Sequence, residues 1–512
     1  QITALVSGAM CWDALALSAM SGTQTTATGL PQNLFYYPMV AAGFVMTVFA
    51  IGVLTRSRGI DLVKALCWLL ALALAAFTVS NSFGVSPLAV MGIAFVVCLF
   101  AGVPIAYVLA FSTLVFLEVD GSLPTEIFAQ QTASGIDNFV LLAVPFFILT
   151  GYAMEANGMS ARLIELLQRL LGRVRGGFDV VMVVSMVIFS GISGSKMADV
   201  AAVGSIMVPA VRRQGRNPGE AVALLAASAV MAEAIPPCVN LIILGFVANL
   251  SIGGLFMAGL VPAGMMALAL IVFVVAFPAK AKIEDDRRPT DSLAKLWGSA
   301  ALAIGMIVII FGGYRSGFAT ATEISSFAVV YALLVGGVAF RELTPRKALE
   351  VCITGACRSG MMLFIVATAQ SVAFVLTIEQ IPHDLANLMI QVSAQYGSWM
   401  FIVITIALLI VMGSILEGAP ALIIFGPLLV PVAEKLGIDP LHYGIVIIVS
   451  MGIGLFSPPL GVGLYGSCAI GNVKVEDTVR PLMRFLAILF VCLLVIAFVP
   501  AITLSLPRAM GL

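Results

Sequence analysis

Long apolar segments follow one another along almost the whole chain, and they exclude a soluble fold. A helix that crosses a membrane needs about 20 mostly apolar residues. The chain has 10% charged residues and a mean hydropathy of +1.12, whereas soluble domains carry about 25% charge. We predict an all-α polytopic membrane protein that lies in the lipid bilayer. Its spans are expected at 1–20, 33–54, 63–83, 86–102, 105–118, 138–156, 252–279, 296–313, 324–340, 358–378 and 482–504.

The overall charge and the rare residues exclude several classes of function. The net charge is 0 and the pI about 6.9, which argues against a nucleic-acid partner. Eight cysteines are scattered without a CxxC pair, and His383 and His442 are the only histidines. We therefore expect neither an enzyme, nor a metal centre of the zinc type, nor a cofactor. Since the chain opens at Gln1 without a methionine, we expect that it lacks its natural N-terminus.

The distribution of basic residues predicts the orientation of the spans, because cytoplasmic loops are rich in lysine and arginine. The acidic segment 118–137 has no basic residue and is placed outside. Alternation then requires that 86–118 forms two short spans, bent at Gly102-Val103-Pro104. The basic loops, placed in the cytoplasm, carry Arg56, Arg58, Lys64, Arg162, Arg169, Arg173, Arg175, Arg212, Arg213, Arg216, Arg341, Arg346 and Lys347, together with segment 280–295.

A fixed offset of 222 residues relates two parts of the chain. "VPAVRRQGRNP" matches "VPVAEKLGIDP", and "EAIPPCVNL" matches "LFSPPLGVG". The first copy has basic flanks and the second does not, so we expect the copies to be inverted relative to one another. Inverted repeats with interrupted helices are typical of transporter binding sites. The interrupted apolar regions are 178–212 and 219–250 in copy one, and 400–433 and 442–472 in copy two.

Each copy is predicted to contain a re-entrant hairpin followed by a broken helix. The hairpin tips are "GISGS" and "GSILEGAP", and the helices break at Pro236-Pro237 and Pro458-Pro459. Non-helical backbone at membrane depth is tolerated only where protein buries it or where it lines a cavity. Free carbonyls and hydroxyls suit a cation, and helix N-termini attract anions. We expect one cation site in each copy, with an anionic substrate between them.

Several side chains at the tips and breaks have more than one interpretation. Ser193 and Ser195 are either cation ligands or small packing residues, and Ser457 is a further candidate ligand. Lys196 and Asp199 are one helical turn apart and are expected to pair. Glu233 and Glu417 could bind a cation, relay a proton or cap backbone amides, and the sequence does not choose between these roles.

Two amphipathic segments also lie at matched positions of the repeat. They are residues 160–171 and 383–394, and their apolar positions recur with a period near 3.6. One interpretation is an arm helix that lies along the membrane interface and braces the moving part. The alternative is an ordinary connecting helix.

From about residue 87 to 512, the chain resembles the large membrane subunit of the tripartite ATP-independent periplasmic (TRAP) transporters. The resemblance rests on "LLAVPFFILTGYAMEANGMS", "FSGISGSKMADVAAVGSIMVPA", "AIPPCVNLIILG", "IEQIPHDLA" and "GIDPLHYGIVIIVSMGIGLFSPPLGVGLY". Residues 1–55, with "SGTQTTATGLPQNLFYYPM", resemble the last two spans of the small membrane subunit, and 56–86 would link the two. The rest of that small subunit is then an expected partner.

The resemblance implies an elevator-type secondary transporter of a bacterial inner membrane, driven by sodium and supplied by a periplasmic substrate-binding protein. It departs from many relatives at Glu417, where they have aspartate, and at Lys196, where they have small residues. Lys196, Asp199 and Asn240 are the candidate substrate contacts. Carried over to this chain, the first sodium site comprises Gly191, Ser193, Ser195, Glu233 and Pro237, and the second comprises Gly413, Ser414, Glu417, Gly454, Ser457 and Pro458.

The expected function is sodium-coupled import of an organic anion, such as a carboxylate or a sialic-acid-like molecule. The repeats, 138–250 and 358–472, would form the moving part, and the N-terminal spans with 252–340 the scaffold. The alternative is a sodium–dicarboxylate carrier with the same hairpins that works without a binding protein.

Overall fold

The computed structural model describes residues 2–20, 36–55, 86–172, 174–278, 293–316, 319–416 and 418–511. Within these residues, all of the regular secondary structure is helical. Eight of the described helices are long and apolar enough to cross a membrane. The prediction of an all-α polytopic membrane protein is confirmed. The predicted span at 63–83 lies outside the described residues.

The chain divides into two compact units. The first contains Gln1–Asn138 and Met361–Asp384, and the second contains Phe139–Gly360 and Leu385–Leu512. In the first unit, α1 packs against α2 and α5, and α3 packs against α4. The boundaries predicted at residues 55 and 86 rest on resemblance and stay predictions. The helices described before residue 138 are α1 (Ile2–Met20), α2 (Tyr37–Thr55), α3 (Pro87–Phe100), α4 (Ile105–Asp120) and α5 (Glu126–Ser134).

The segment from 86 to 118 is bent as predicted. Helix α3 ends at Phe100, and Gly102 follows with a φ of +76°. Such a left-handed conformation carries no Cβ penalty in glycine. Pro104 then precedes α4, whose first residue is Ile105. The two short helices are therefore separated by a turn that local backbone chemistry specifies.

In the second unit, copy one of the repeat is a run of seven helices. The first follows a 3₁₀ turn at Phe139–Leu142. The amphipathic segment predicted at 160–171 is a helix, α7, which contacts the next helix in the chain. The seven are α6 (Ala143–Ala156), α7 (Met159–Leu171), α8 (Gly177–Ser193), α9 (Lys196–Arg213), α10 (Pro218–Ala232), α11 (Val239–Val247) and α12 (Ile252–Ala276).

Two helices, α13 (Leu293–Ser316) and α14 (Ala321–Leu334), connect the copies, and α14 continues as a π-helical turn at Val335–Ala339. Helix α15 (Pro345–Ile378) contributes to both units and begins 13 residues before the span predicted at 358. Its first turns are polar, and a hydropathy pattern detects only the apolar part of a helix.

Copy two contains the same elements at nearly the same spacing. It begins with the C-terminal part of α15, which ends 222 residues after α6 ends. The last helix of copy two, α21, begins at Val475, before the span predicted at 482. Its first turn is acidic, which helix N-termini favour, and a hydropathy pattern does not detect such a polar turn. The remaining helices are α16 (Ile381–Tyr396), α17 (Ser398–Ile415), α18 (Gly418–Lys435), α19 (Pro440–Phe456), α20 (Val462–Gly471), α21 (Val475–Phe498) and, after the repeat, α22 (Ala501–Ala509).

The repeated Asx-Pro pairs explain why α10 and α19 begin at matched positions. The side chain of Asn217 accepts a hydrogen bond from Gly219 N at 2.9 Å, and Asp439 accepts one from Leu441 N at 2.9 Å. Asn and Asp are favoured N-caps, and proline fits the first helical position because the N–H there is unpaired anyway. The same local signal therefore starts both broken helices.

The packing of the two copies is reciprocal. Helix α9 packs against α20, and α18, its equivalent in copy two, packs against α11. In the same way, α10 packs against α21, and α19 packs against α12. Such an exchange of contacts is what a two-fold relation between the copies produces. The inversion across the membrane rests on the loop charges and stays a prediction.

Candidate functional site

The first predicted tip is a tight turn between the two arms of a helical hairpin. Helix α8 ends at Ser193, Gly194 has a φ of +65°, and α9 begins at Lys196. The hydroxyl of Ser193 accepts a hydrogen bond from Ser195 N at 3.1 Å and donates one to the carboxylate of Asp199. The structure thus brings together three predicted site residues, and the hydroxyl of Ser193 orders the turn.

The first predicted break separates α10 from α11. Pro236 and Pro237 have no N–H, and the peptide bond between them is cis. The buried carboxylate of Glu233 forms an ion pair with Lys196. Its other oxygen accepts a hydrogen bond from Asn240 Nδ2 at 2.8 Å. The roles that the sequence left open for Glu233 did not include this pairing with an ammonium group.

The first tip lies directly on the first break. Val239 N donates to Gly194 O at 3.4 Å, and a Cβ added to Gly194 would lie 2.5 Å from Pro237 O. One turn earlier, Ser190 Oγ donates to Ala232 O at 3.2 Å. These contacts place carbonyl and hydroxyl oxygens of both elements side by side. Gly191 also faces this break, since its added Cβ would be 3.8 Å from Pro236 O.

The first arm of the second hairpin packs closely against the helix that precedes the second break. Helix α17 ends at Ile415, Leu416 is extended, and α18 begins at Gly418. A Cβ on Gly413 would lie 2.6 Å from Met451 O. A Cβ on Gly454, the second glycine of this contact, would meet Ile410 O. Only glycine allows this approach of the two backbones, which explains why both helices carry one here.

The hydroxyls at the second site leave acceptor electron pairs available. Ser457 Oγ donates to Ile453 O at 2.7 Å, and Ser414 Oγ donates to Val411 O at 2.7 Å. A hydroxyl that donates its one hydrogen can still accept, or bind a cation, through its oxygen. Ser457 immediately precedes Pro458, and the Pro458-Pro459 peptide is cis. Glu417, the remaining predicted residue of this site, lies outside the described residues.

The second tip contacts Lys196 and Asn240, which belong to copy one. A Cβ on Gly418 would lie 3.0 Å from Lys196 Nζ and would overlap Asn240 Nδ2. Lys196 and Gly418 are the first residues of α9 and α18, and Asn240 is the second residue of α11. Three helix N-termini therefore lie together at this point. Their positive ends favour an anion, and the ammonium of Lys196 and the amide of Asn240 already contact the carboxylate of Glu233 there.

One expected pair is wrong. The sequence spacing favoured an ion pair between Lys196 and Asp199, but Lys196 pairs with Glu233 and Asp199 accepts from Ser193. The first turn of α9 directs these two side chains to different neighbours. The backbone separation from Lys196 to Glu233 is 37 residues, so only the packing of α9 against α10 reveals the pair.

A second buried ion pair, at the base of the same hairpin, was not predicted from the sequence. Arg216 Nη2 lies 2.7 Å and 2.8 Å from the two carboxylate oxygens of Asp179. Both side chains are buried, and Arg216 also lies over the ring of Phe178. The equivalent positions of copy two are Phe401 and Ile438. An aspartate in an apolar arm is the signal that could have indicated a buried partner.

Comparisons with known proteins agree with this architecture. Residues 92–502 match the family described as "Tripartite ATP-independent periplasmic transporter, DctM component". The 2,3-diketo-L-gulonate TRAP transporter large permease protein YiaN of Escherichia coli is 35% identical, over 78% of this chain and 94% of its own length. The sialic acid TRAP transporter large permease protein SiaM of Vibrio cholerae is 33% identical, over 80% and 96%.

Two further similarities bear on the remainder of the chain and on the fold. The isethionate TRAP transporter permease protein DctMQ of Oleidesulfovibrio alaskensis is 31% identical, over 96% of this chain and 78% of its own length. The crystal structure of the Alcanivorax borkumensis YdaH transporter, described as having an unusual topology, superposes with a TM-score of 0.51. It covers 72% of this chain and 86% of its own, at 14% identity, and so supports the fold alone.

Proposed function

Because the chain belongs to the DctM family of tripartite ATP-independent periplasmic transporters, we propose that it imports an organic anion together with sodium ions. It is a multi-pass permease of the bacterial inner membrane and not an enzyme. The observation that carries the proposal is the meeting of three helix N-termini between two hairpin tips. Such a site favours a negatively charged solute.

The names of the relatives support one chemical class of solute for this chain, organic acids. The names of relatives that are 31–35% identical refer to 2,3-diketo-L-gulonate, sialic acid and isethionate, and another name refers to C4-dicarboxylates. All of these are organic acids that are ionised at neutral pH. We propose that the anion lies beside Lys196, Asp199 and Asn240.

Sodium is proposed as the coupling ion because of the oxygens available where each tip lies on a break. In transporters of this kind, unwound backbone carbonyls coordinate the coupling cation. The candidate positions are Gly191, Ser193, Ser195, Glu233 and Pro237 in copy one. In copy two they are Gly413, Ser414, Gly454, Ser457 and Pro458, and Glu417 remains a candidate from the sequence.

An elevator motion is proposed from the internal symmetry. The hairpins and broken helices of the two copies pack against one another reciprocally, which supports their movement as one body. The anion and its cations would then cross together, since a neutralised cargo is less costly to move through a low-dielectric region. The N-terminal spans and the helices within 252–340 are the proposed scaffold.

The family description implies further components, a periplasmic binding protein and a small membrane subunit. We propose that residues 1–55 belong to that small subunit and that residues 56–86 link them to the large-subunit part. The family match starts at residue 92, whereas the DctMQ relative matches 96% of the chain. The rest of the small subunit would complete the membrane part.

The proposal predicts sodium-dependent uptake by the full transporter reconstituted in proteoliposomes with its binding protein. We expect an inward sodium gradient to increase uptake of at least one of the four relatives' anions by at least ten-fold over a choline gradient. Equal uptake with sodium and choline would contradict sodium coupling. Uptake of free anion without the binding protein would favour the dicarboxylate-carrier alternative.

The serine at the second break provides a sharper test of the site. Ser457→Ala removes a hydroxyl from the proposed cation site. We expect the sodium concentration for half-maximal uptake to rise about ten-fold, which corresponds to a loss of roughly 1.4 kcal/mol of binding free energy. Ser467→Ala is the matched control, since Ser467 is buried on α20 and donates to the carbonyl of Gly463 at 2.8 Å. An equal shift in both variants would show that Ser457 is no specific ligand.

A further inference from the structure

The side chain of Lys196 completes the environment of a buried carboxylate. Its ammonium forms an ion pair with Glu233, and the exposed fractions of the two side chains are 14% and 2%. The second oxygen of Glu233 accepts a hydrogen bond from Asn240 Nδ2 at 2.8 Å. Both carboxylate oxygens therefore have a partner, and the negative charge has a cation next to it.

Copy two has no counterpart of this pair. The residues equivalent to Lys196, Glu233 and Asn240, 222 positions later, are Gly418, Leu455 and Val462. None of them carries a charge or a polar side chain. At these positions the two units therefore differ in charge, since copy one places a carboxylate beside its own ammonium.

A carboxylate that stays ionised at membrane depth needs a positive charge beside it. Either a bound metal ion or a basic side chain can supply that charge. The ammonium of Lys196 is attached to the tip, so it is present at every sodium concentration and moves with the hairpin. A sodium ion on Glu233 would have to displace it and leave the ammonium without its carboxylate.

We infer that Lys196 takes the place of one coupling cation in copy one, so that sodium binds only in copy two. This inference rests on the proposed sodium coupling and narrows its candidate positions to those of copy two. The Lys196–Glu233 pair is neutral, and it crosses with the moving hairpin without adding charge to the cycle. The charge of the transported anion is then offset by the sodium ions of copy two alone.

The inference predicts that removal of the ammonium creates a sodium site. In Lys196→Met, Glu233 loses its cation, so at an alkaline pH that keeps this carboxylate ionised the purified full-length protein should bind one more radioactive sodium ion per chain than the wild type. The double variant Lys196→Met/Glu233→Gln has neither charge and should return to the wild-type number. Lys435→Met, an exposed lysine in the last turn of α18, is the control and should bind the wild-type number.

Thermal unfolding in detergent gives a second readout in case Lys196→Met is unstable. Its melting temperature should rise with sodium chloride and not with choline chloride, whereas the double variant should show no such rise beyond the wild type. If Lys196→Met binds the wild-type number of sodium ions, the inference is overturned. It is also overturned if this variant unfolds in both salts while the double variant remains folded.

The outcomes separate this inference from the sodium coupling on which it rests. If the wild type binds no sodium and Lys196→Met binds one ion, the replacement of a cation by Lys196 stands and sodium coupling of the native transporter fails. If the wild type binds sodium and Lys196→Met binds no more, coupling stands and the inference fails.

Discussion

Gly194→Ala is expected to abolish uptake, because this residue combines a left-handed backbone with a close approach to a carbonyl. Its φ is +65°, and the added Cβ would lie 2.5 Å from Pro237 O. A left-handed conformation costs a non-glycine residue about 1–2 kcal/mol, and overpacking adds about 1–3 kcal/mol. The carbonyl belongs to the broken helix and cannot rotate away as a side chain could. The tip must therefore move off the break.

Gly437 offers a matched control for this experiment. It has a similar φ of +76°, but a Cβ there would meet no atom within 4 Å. Gly437→Ala should show only the backbone strain of about 1–2 kcal/mol, with a lower melting temperature and uptake within about two-fold of the wild type. Gly194→Ala should lose at least ten-fold in uptake. If the two variants behave alike, the first tip does not lie on the Pro237 carbonyl.

Asp179→Ala is expected to cause the largest loss of stability among single substitutions outside the tips. It leaves the buried guanidinium of Arg216 without its carboxylate, and breaking a buried pair from one side costs about 3–5 kcal/mol. The measurement is the melting temperature of the purified protein, with uptake as a second readout. Replacement of both partners, in Asp179→Leu/Arg216→Met, should recover most of the loss, because no uncompensated charge remains.

An exposed ion pair provides the comparison. Arg346 and Glu350 are 3.4 Å apart, and their side chains are 91% and 64% exposed. Arg346→Ala should change the free energy of unfolding by less than about 1 kcal/mol, since water screens such pairs. Should Asp179→Ala prove as mild as Arg346→Ala, the buried pair at the base of the first hairpin contributes nothing to folding.

The bases of the two hairpins are held by different interactions, a buried ion pair in copy one and an aromatic contact in copy two. Copy one joins the base of its hairpin through Asp179 and Arg216. In copy two, Phe401 stands at the position of Asp179 and stacks on Tyr443, with ring centroids 5.3 Å apart. Replacement of a buried ion pair by well-packed apolar groups is often neutral or stabilising. The aromatic base of copy two is thus a natural version of the double substitution proposed for copy one.

The sequence by itself determined where the helices begin, bend and break. Proline has no N–H and glycine adopts positive φ, and both effects act on the residue itself and its immediate neighbours. The turn at Gly102 to Pro104, the tip at Gly194 and the breaks at the two Pro-Pro pairs were therefore predictable. The 222-residue offset also follows from the sequence, since both copies repeat the same local signals.

Only the tertiary structure decided which charged groups meet. Lys196 could pair with Asp199 one turn away, yet it pairs with Glu233, 37 residues later. Asp179 and Arg216 are likewise 37 residues apart. A long side chain at a helix start can reach several neighbours, and the packing of the helices decides which one it meets. Local backbone chemistry therefore specifies the elements, whereas the partners of the buried charges depend on contacts between distant segments.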